Sequence, residues 1–308
     1  MNWLQVILTV VTIGSIFSVV TLALNLQYAR GGMINFGVVA YFAAGAYIYA
    51  IFTHPAPEGL DQYIIGLDWP WWAGFIAAGI ASLLFAVLTG WPTLRLRGEY
   101  LAVTTFAFAE VLYSFLLNER RIGNGAVGLS NIERPIRDWG TIDEKYIFAI
   151  VAVALMFLTA WIFRKLLNSP YGRALDAIRD DEGAAQAIGK SAKRMRLQVF
   201  LLSAIPIGFA GALYAMYMTL VSPRLFTAEV SFIVWIALVL GGERTIWGAM
   251  AGTFGLILLE EVITSLPFES VSAAQNAAAM NHVVTGLLFI AVLRWQPFEW
   301  ISKKLEKK

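Results

Sequence analysis

Long apolar runs, separated by short polar stretches, restrict this chain more than any other feature. The first runs from Trp3 to Leu26 without a charge. Runs of roughly 16–24 residues match the length needed to cross about 30 Å of hydrocarbon as a helix. No water is present there to bind the backbone, so each crossing segment must satisfy its own N–H and C=O groups, as a helix does. Hydrophobic residues make up 58% of the chain and charged residues 14%, against roughly 45–50% apolar in soluble domains. The implied fold class is all-α: a polytopic helical membrane protein, with residues 1–308 forming one transmembrane domain.

About nine crossings are expected: Trp3–Leu26, Phe36–Phe52, Trp71–Thr89, Leu101–Leu117, Tyr146–Phe163, Leu197–Leu220, Val230–Leu240, Trp247–Ile263 and His282–Leu293. The shortest underfill a bilayer and are expected to be tilted, broken or re-entrant. The first run is too long for a signal-peptide core and has no Lys or Arg before it, so a retained span is expected. Arg30, Arg95 and Arg97, the cluster Arg164 to Arg196, and Lys303, Lys304, Lys307 and Lys308 fall in alternate loops. The loops between them, His54–Asp68 and Thr264–Asn281, contain no Lys or Arg. Cationic loops stay in the cytoplasm, which places the N-terminus outside and the C-terminus inside and agrees with an odd number of crossings. Residues 118–145 become an external glycine-containing loop. A net charge of +2 gives no signal for nucleic acid, and the absence of Cys excludes disulfides.

Small residues recur at four-residue spacing in Gly74, Ala78 and Ser82, in Ala204, Gly208 and Ala212, and in Gly248 and Gly252. Such stripes let helix backbones approach closely in lipid. Pro206 lies inside the sixth run, where a bend is expected. Most Trp residues, among them Trp3, Trp69, Trp71, Trp72, Trp91, Trp247, Trp295 and Trp300, stand at span ends as interfacial anchors.

The stretch "SPYGRALDAIRDDEGAAQAIGKSAKRMR" (169–196) carries most of the dense charge. Ser169 and Pro170 form an N-cap and first-turn pair. Tyr171, Ala174, Leu175 and Ile178 then make an apolar stripe, and Ala184, Ala185 and Ile188 extend it beyond Gly183. Residues 169–192 therefore read as a cytoplasmic amphipathic helix, or two joined at Gly183. One face packs on the membrane domain, while Arg173, Asp176, Arg179, Asp180, Asp181 and Glu182 face something else. A lipid surface, a solvated loop and a cleft on a soluble partner are the competing surroundings. Mixed charge and the acidic 180–182 run disfavour anionic lipid. "GAAQAIGKS" has one residue too many between its glycines for a phosphate-binding loop, and no strand precedes it. No metal-ligand spacing or Ser/His/Asp arrangement surrounds the two histidines, His54 and His282.

Inside the spans, Glu110 is a carboxylate in hydrocarbon, facing either a functional site or a structural partner. Thr104 and Thr105 lie one to two turns before it. Asn25, Gln27 and Asn35 bracket Gly31-Gly32, an interruption of the kind that lines transporter cavities, although such side chains equally join helices by hydrogen bonds.

The polar stretch resembles the coupling loop of permease subunits of bacterial ATP-binding-cassette importers. Glu182-Gly183-Ala184-Ala185 and Gly189 fit their E-x-A-x-x-x-G pattern. "GGMINFGVVAYFAAGAYIYA", "LRLRGEYLAVTTFAFAEV", "GNGAVGLSNI" and "GGERTIWGAMAG" are similar, in order, to segments of LivM-type permeases of branched-chain amino acid importers. Arg244 and Ala249 stand where Gly and Pro are expected, and Arg30 is an unusual charge for that family. The resemblance implies a second, LivH-like permease, two soluble ATPase subunits and a soluble solute-binding protein as partners, with the bilayer around the pair. It implies ATPase coupling through Arg179, Asp180, Asp181, Glu182, Gly183, Ala184, Ala185 and Gly189. A translocation path near Asn25, Asn35, Thr104, Thr105 and Glu110 is expected beside it. No cofactor is expected on this chain; ATP and Mg would bind the partner subunits. Branched-chain amino acids are the first expected solute, with urea or short amides as the alternative. An ion-coupled secondary transporter using Glu110 is the rival of another class.

Overall fold

Segments that are apolar on every side fold as helices buried in protein or lipid, and these do. The computed structural model describes residues 3–57, 63, 65–96, 98–132, 134, 144–242, 245–264, 283, 286, 287 and 290. Its long helices are α1 (Trp3–Asn25), α2 (Val38–Thr53), α3 (Trp71–Thr93), α4 (Glu99–Asn118), α6 (Glu144–Leu167), α9 (Ala192–Met218), α10 (Ala228–Gly241) and α11 (Ile246–Thr264). Between them lie the short helices α5 (Arg120–Gly123), α7 (Pro170–Asp180) and α8 (Glu182–Ala187), and the strands β1 (Leu129–Ser130) and β2 (Leu220–Val221). Seven apolar helices among the described residues are long enough to cross a membrane, and α2 is a shorter eighth. The ninth expected crossing, His282–Leu293, falls almost wholly outside the described residues. So do Arg97, Arg244, Glu269, Trp295, Trp300 and the C-terminal lysines.

The centre of the bundle is α2, nearly all of it buried between α3 and α9. Glycine makes this crossing possible. A Cβ on Gly45 or Gly211 would strike the backbone of the facing helix, at Gly208 and Phe42 respectively. Gly74, Ala78 and Ser82 are buried along α3, and the Ser82 hydroxyl donates to Tyr41 O at 2.7 Å. The helix pair α10–α11 closes in the same way through Gly241, Gly248 and Gly252. α9 continues as helix through Pro206. Trp3, Trp69, Trp71, Trp72, Trp91 and Trp247 are exposed at element ends, as anchors should be.

Two sides of the bundle are distinguishable. On one, β1 pairs antiparallel with β2, His54 Nε2 lies 2.9 Å from Ser130 O, and the Tyr63 hydroxyl is 3.0 Å from His54 Nδ1. On the other lie α7, α8, the start of α9 and the end of α1. The second crossing begins within two residues of expectation, after the expected interruption at Gly31-Gly32. After α1 the chain makes a π turn (Leu26–Arg30) and runs non-helically from Gly31 until Gly37 caps α2 at Val38.

Candidate functional site

Non-helical backbone at membrane depth is tolerated only where protein satisfies its polar groups, and residues 31–37 show how this is done. Gly32 has φ +63°, a conformation that costs a side chain little only in glycine. Gly32 N donates to Tyr28 O at 3.1 Å and Met33 N to Gln27 O at 3.1 Å. Phe36 N donates to the Thr105 hydroxyl at 3.1 Å, and Gly37 N to Asn35 Oδ1 at 2.7 Å. The indole N–H of Trp235 supplies Asn35 O at 2.9 Å. Asn35 Nδ2 donates to Gln27 Oε1 at 2.8 Å, and Gln27 Nε2 donates in turn to the Ser203 hydroxyl. Asn25, Gln27, Asn35, Thr105 and Ser203 are all buried. The broken segment is thus sewn to the π turn, to α4 and to α10, and through Gln27 to α9.

Of the residues expected along a path, Asn35 and Thr105 meet in this network. Thr104 does not join it; its hydroxyl donates to Tyr100 O within α4 at 2.8 Å. Glu110 is also elsewhere. It lies half-buried on α4, with no hydrogen-bond partner among the described residues. Around it Tyr100, Val103, Val111 and Phe115 are exposed. Only 28% of the apolar window of α4 is buried inside the chain, against 72% for α9, so one face of α4 is open.

The second part of the site is the polar stretch. Ser169 caps α7 by accepting from Tyr171 N at 3.2 Å, and Pro170 begins the helix. The Tyr171 hydroxyl donates to Met195 O at 3.2 Å, and burial pushes its pKa up. The break between α7 and α8 is at Asp181, not Gly183. Asp181 is extended and caps α8 by accepting from Ala184 N at 3.0 Å, whereas Gly183 lies within α8. An acidic cap suits the positive end of a helix, which is why the chain breaks at the aspartate.

The charged residues also divide differently from expectation. Asp176 and Glu182 are half-buried against the membrane domain, while Arg173, Arg179, Asp180 and Asp181 remain exposed, although the Arg179 guanidinium reaches back to the end of the π turn. Arg30 Nη1 donates to both carboxylate oxygens of Asp176, at 2.7 and 2.9 Å. Arg179 Nη1 donates to Ala29 O. Arg196 Nη1 pairs with Glu182 Oε2 at 3.0 Å, and its Nε donates to Gly31 O at 3.3 Å. With side chains 33% and 37% exposed, the Arg30–Asp176 pair contributes about 0–1 kcal/mol to stability. Its significance is positional. Arg30, the unusual charge of the sequence, has its explanation here.

Ala185 is 3% exposed and packs with Ile178, Ala192 and Met195 in a small cluster separate from the main core. It therefore lies under the helix and not on its outer face. Gly183, Ala184 and Gly189 face outward with Ile188, which is 72% exposed. Sequence reading missed Trp235, Ser203 and Arg196. Trp235 alone carried a signal: an indole in the middle of an apolar span needs a partner for its N–H.

Over residues 6–293 the sequence matches the family described as "Branched-chain amino acid transport system / permease component". It is 30% identical to the "High-affinity branched-chain amino acid transport system permease protein LivM" of Escherichia coli (strain K12), across 94% of this chain and 68% of that one. A "Probable branched-chain amino acid transport permease protein LivM" of Methanocaldococcus jannaschii is 23% identical across 94% and 91%. The "High-affinity branched-chain amino acid transport system permease protein LivH" of Escherichia coli (strain K12) is 26% identical across 96% and 94%. No solved structure matches the chain.

Proposed function

The chain belongs to the family of permease components of branched-chain amino acid transport systems, and from that premise we propose that it is a membrane subunit of an ATP-driven importer. It pairs with a second, LivH-like permease to form a path for branched-chain amino acids. Likeness to both LivM and LivH relatives supports a paired permease. The chain itself is a gate without catalytic chemistry. ATP and Mg are handled by two soluble ATPase subunits on the cytoplasmic side, and a soluble binding protein delivers the solute from outside.

One observation carries the docking assignment: the outer face of α7–α8. This element is held from beneath by Leu175 in the main core, by the small Ile178–Ala185 cluster and by ion pairs. It presents Gly183, Ala184, Ile188 and Gly189 outward beside the exposed carboxylates of Asp180 and Asp181. A small, mixed-charge surface with one apolar tip suits a cleft on a soluble protein. The side bearing Arg173, Arg179, Lys190, Lys193 and Arg194 is accordingly the cytoplasmic one. The path itself runs along the open face of α4 at Glu110, between this chain and its partner permease. A carboxylate at helix centre costs about 2.5–3.5 kcal/mol against lipid, which favours a protein- or water-lined position.

The test is uptake in proteoliposomes. The assembled importer is expected to take up leucine in a vanadate-sensitive, binding-protein-dependent manner, with the ATPase subunits co-purifying. Gradient-driven uptake by the lone chain would instead establish an ion-coupled carrier.

A further inference from the structure

Three polar bridges join the α7–α9 region to one short piece of chain, residues 29–31. They are Arg30–Asp176, Arg179 to Ala29 O, and Arg196 to Gly31 O, with Arg196 also holding Glu182. We propose that Arg30, Asp176 and Arg179 are positioning residues forming a transmission joint, through which displacement of α7–α8 moves the broken segment 31–37. The proposal rests on the reading of α7–α8 as the ATPase-docking lever and adds where its motion goes.

Four features of the structure support the joint. First, the lever is firmly joined to its neighbours, with Ile178 and Ala185 packed on Ala192 and Met195 at the start of α9 and Leu175 set in the main core, so a push on its outer face is passed inward. Second, the joint is polar and borders a cavity of 390 Å³ lined by Ala29, Arg30, Asp176, Arg179 and Asp180. It can shift there without tearing apart close-packed apolar side chains. Third, the receiving end is a π turn followed by Gly31 and Gly32. Single π turns in helices occur frequently at functional sites. In the proposed joint this turn is the two-state element that coupling between sites requires. Fourth, Gln27 lies in that same π turn and holds Asn35 and Ser203. A change of turn at Arg30 therefore reaches Asn35, and through its Oδ1 the Gly37 N–H at the start of α2. Contacts run without a gap from the lever to the broken segment.

The assembled importer tests this in proteoliposomes, with solute taken up per ATP hydrolysed as the readout. Arg30→Asp and Asp176→Arg are each expected to retain the ATPase subunits and ATP hydrolysis within about twofold, while uptake per ATP falls at least tenfold. The reversed pair, carrying both changes, is expected to recover to within about threefold of wild type. Unchanged uptake per ATP in the single variants, or no recovery in the reversed pair, overturns the joint. Should a single variant shed the ATPases, a second experiment decides. The chain has no cysteine, so Arg30→Cys with Asp176→Cys can be joined by a short bifunctional thiol reagent. Cross-linking is expected to restore, with the ATPases bound, the uptake per ATP that the unlinked double-cysteine chain has lost, and no recovery after cross-linking overturns the proposal. Failure of the docking reading shows separately: Ile188→Cys in an otherwise wild-type chain would then not cross-link to an ATPase subunit.

Discussion

The broken segment at residues 31–37 and the open face of α4 are both polar interruptions of an apolar bundle, and the chain settles them in opposite ways. In the first, a buried donor or acceptor meets a partner from within the chain: Thr105 for Phe36, Trp235 and Gln27 for Asn35, Asn35 for Gly37. In the second, Glu110 is given no such partner among the described residues, and Val103 and Val111 beside it are exposed. A polar group satisfied internally is part of the subunit's own architecture. One left open in a membrane helix implies something outside the subunit, because lipid cannot solvate it. The contrast separates what this chain builds alone from what an assembly completes.

The sealed region should therefore be fragile in the isolated subunit. Gly37→Val would drive a side chain into the Thr105 backbone, and the expected outcome is loss of folded protein in detergent by size-exclusion chromatography. Asn35→Leu removes the acceptor of Gly37 N–H and the donor to Gln27 Oε1. Each group left unsatisfied costs about 1–3 kcal/mol, so a clear fall in melting temperature is expected in the lone chain. An unchanged melting temperature would mean that water replaces Asn35, and the region would not be sealed.

The open region should show the reverse. Glu110→Gln is expected to leave the stability of the lone chain within about 0.5 kcal/mol, as surface substitutions do. Solute uptake by the assembled importer should nevertheless fall about tenfold. If stability falls and uptake stays, Glu110 is structural and the two regions do not differ.

How much of this was legible in sequence follows from the range of the interactions. Ser169 and Pro170 act within one turn, so the start of α7 could be read directly. Gly74, Ala78 and Ser82 announced a close helix contact because spacing along one helix is local information. Which charges of 176–182 turn inward was not local. Asp176 and Arg179 share the helix side of buried Leu175 and Ile178, yet their partners lie 146 and 150 residues away at Arg30 and Ala29. Nothing in the spacing names such a partner. Arg30 looked anomalous for the same reason, since its neighbours in sequence do not explain a charge that answers to another helix. Arg244 and most of the ninth crossing fall outside the described residues.

Gly189 gives the finest distinction between a sealed position and an open one. It adopts φ +82°, and a Cβ there would meet nothing within 4 Å. Gly189→Ala should therefore cost the lone chain only the backbone term, about 1 kcal/mol, and Gly189→Asn less, because asparagine tolerates the left-handed region. Chemical denaturation of the purified subunit measures both. In the assembled importer the order should invert. If the tip of the lever sits in a cleft, the larger asparagine should weaken ATPase docking more than alanine does, as read by the concentration of ATPase subunit needed for half-maximal uptake. The same ranking in both measurements would mean that space around Gly189 stays open in the complex, and Ile188 and Ala184 would then have to make the contact without it.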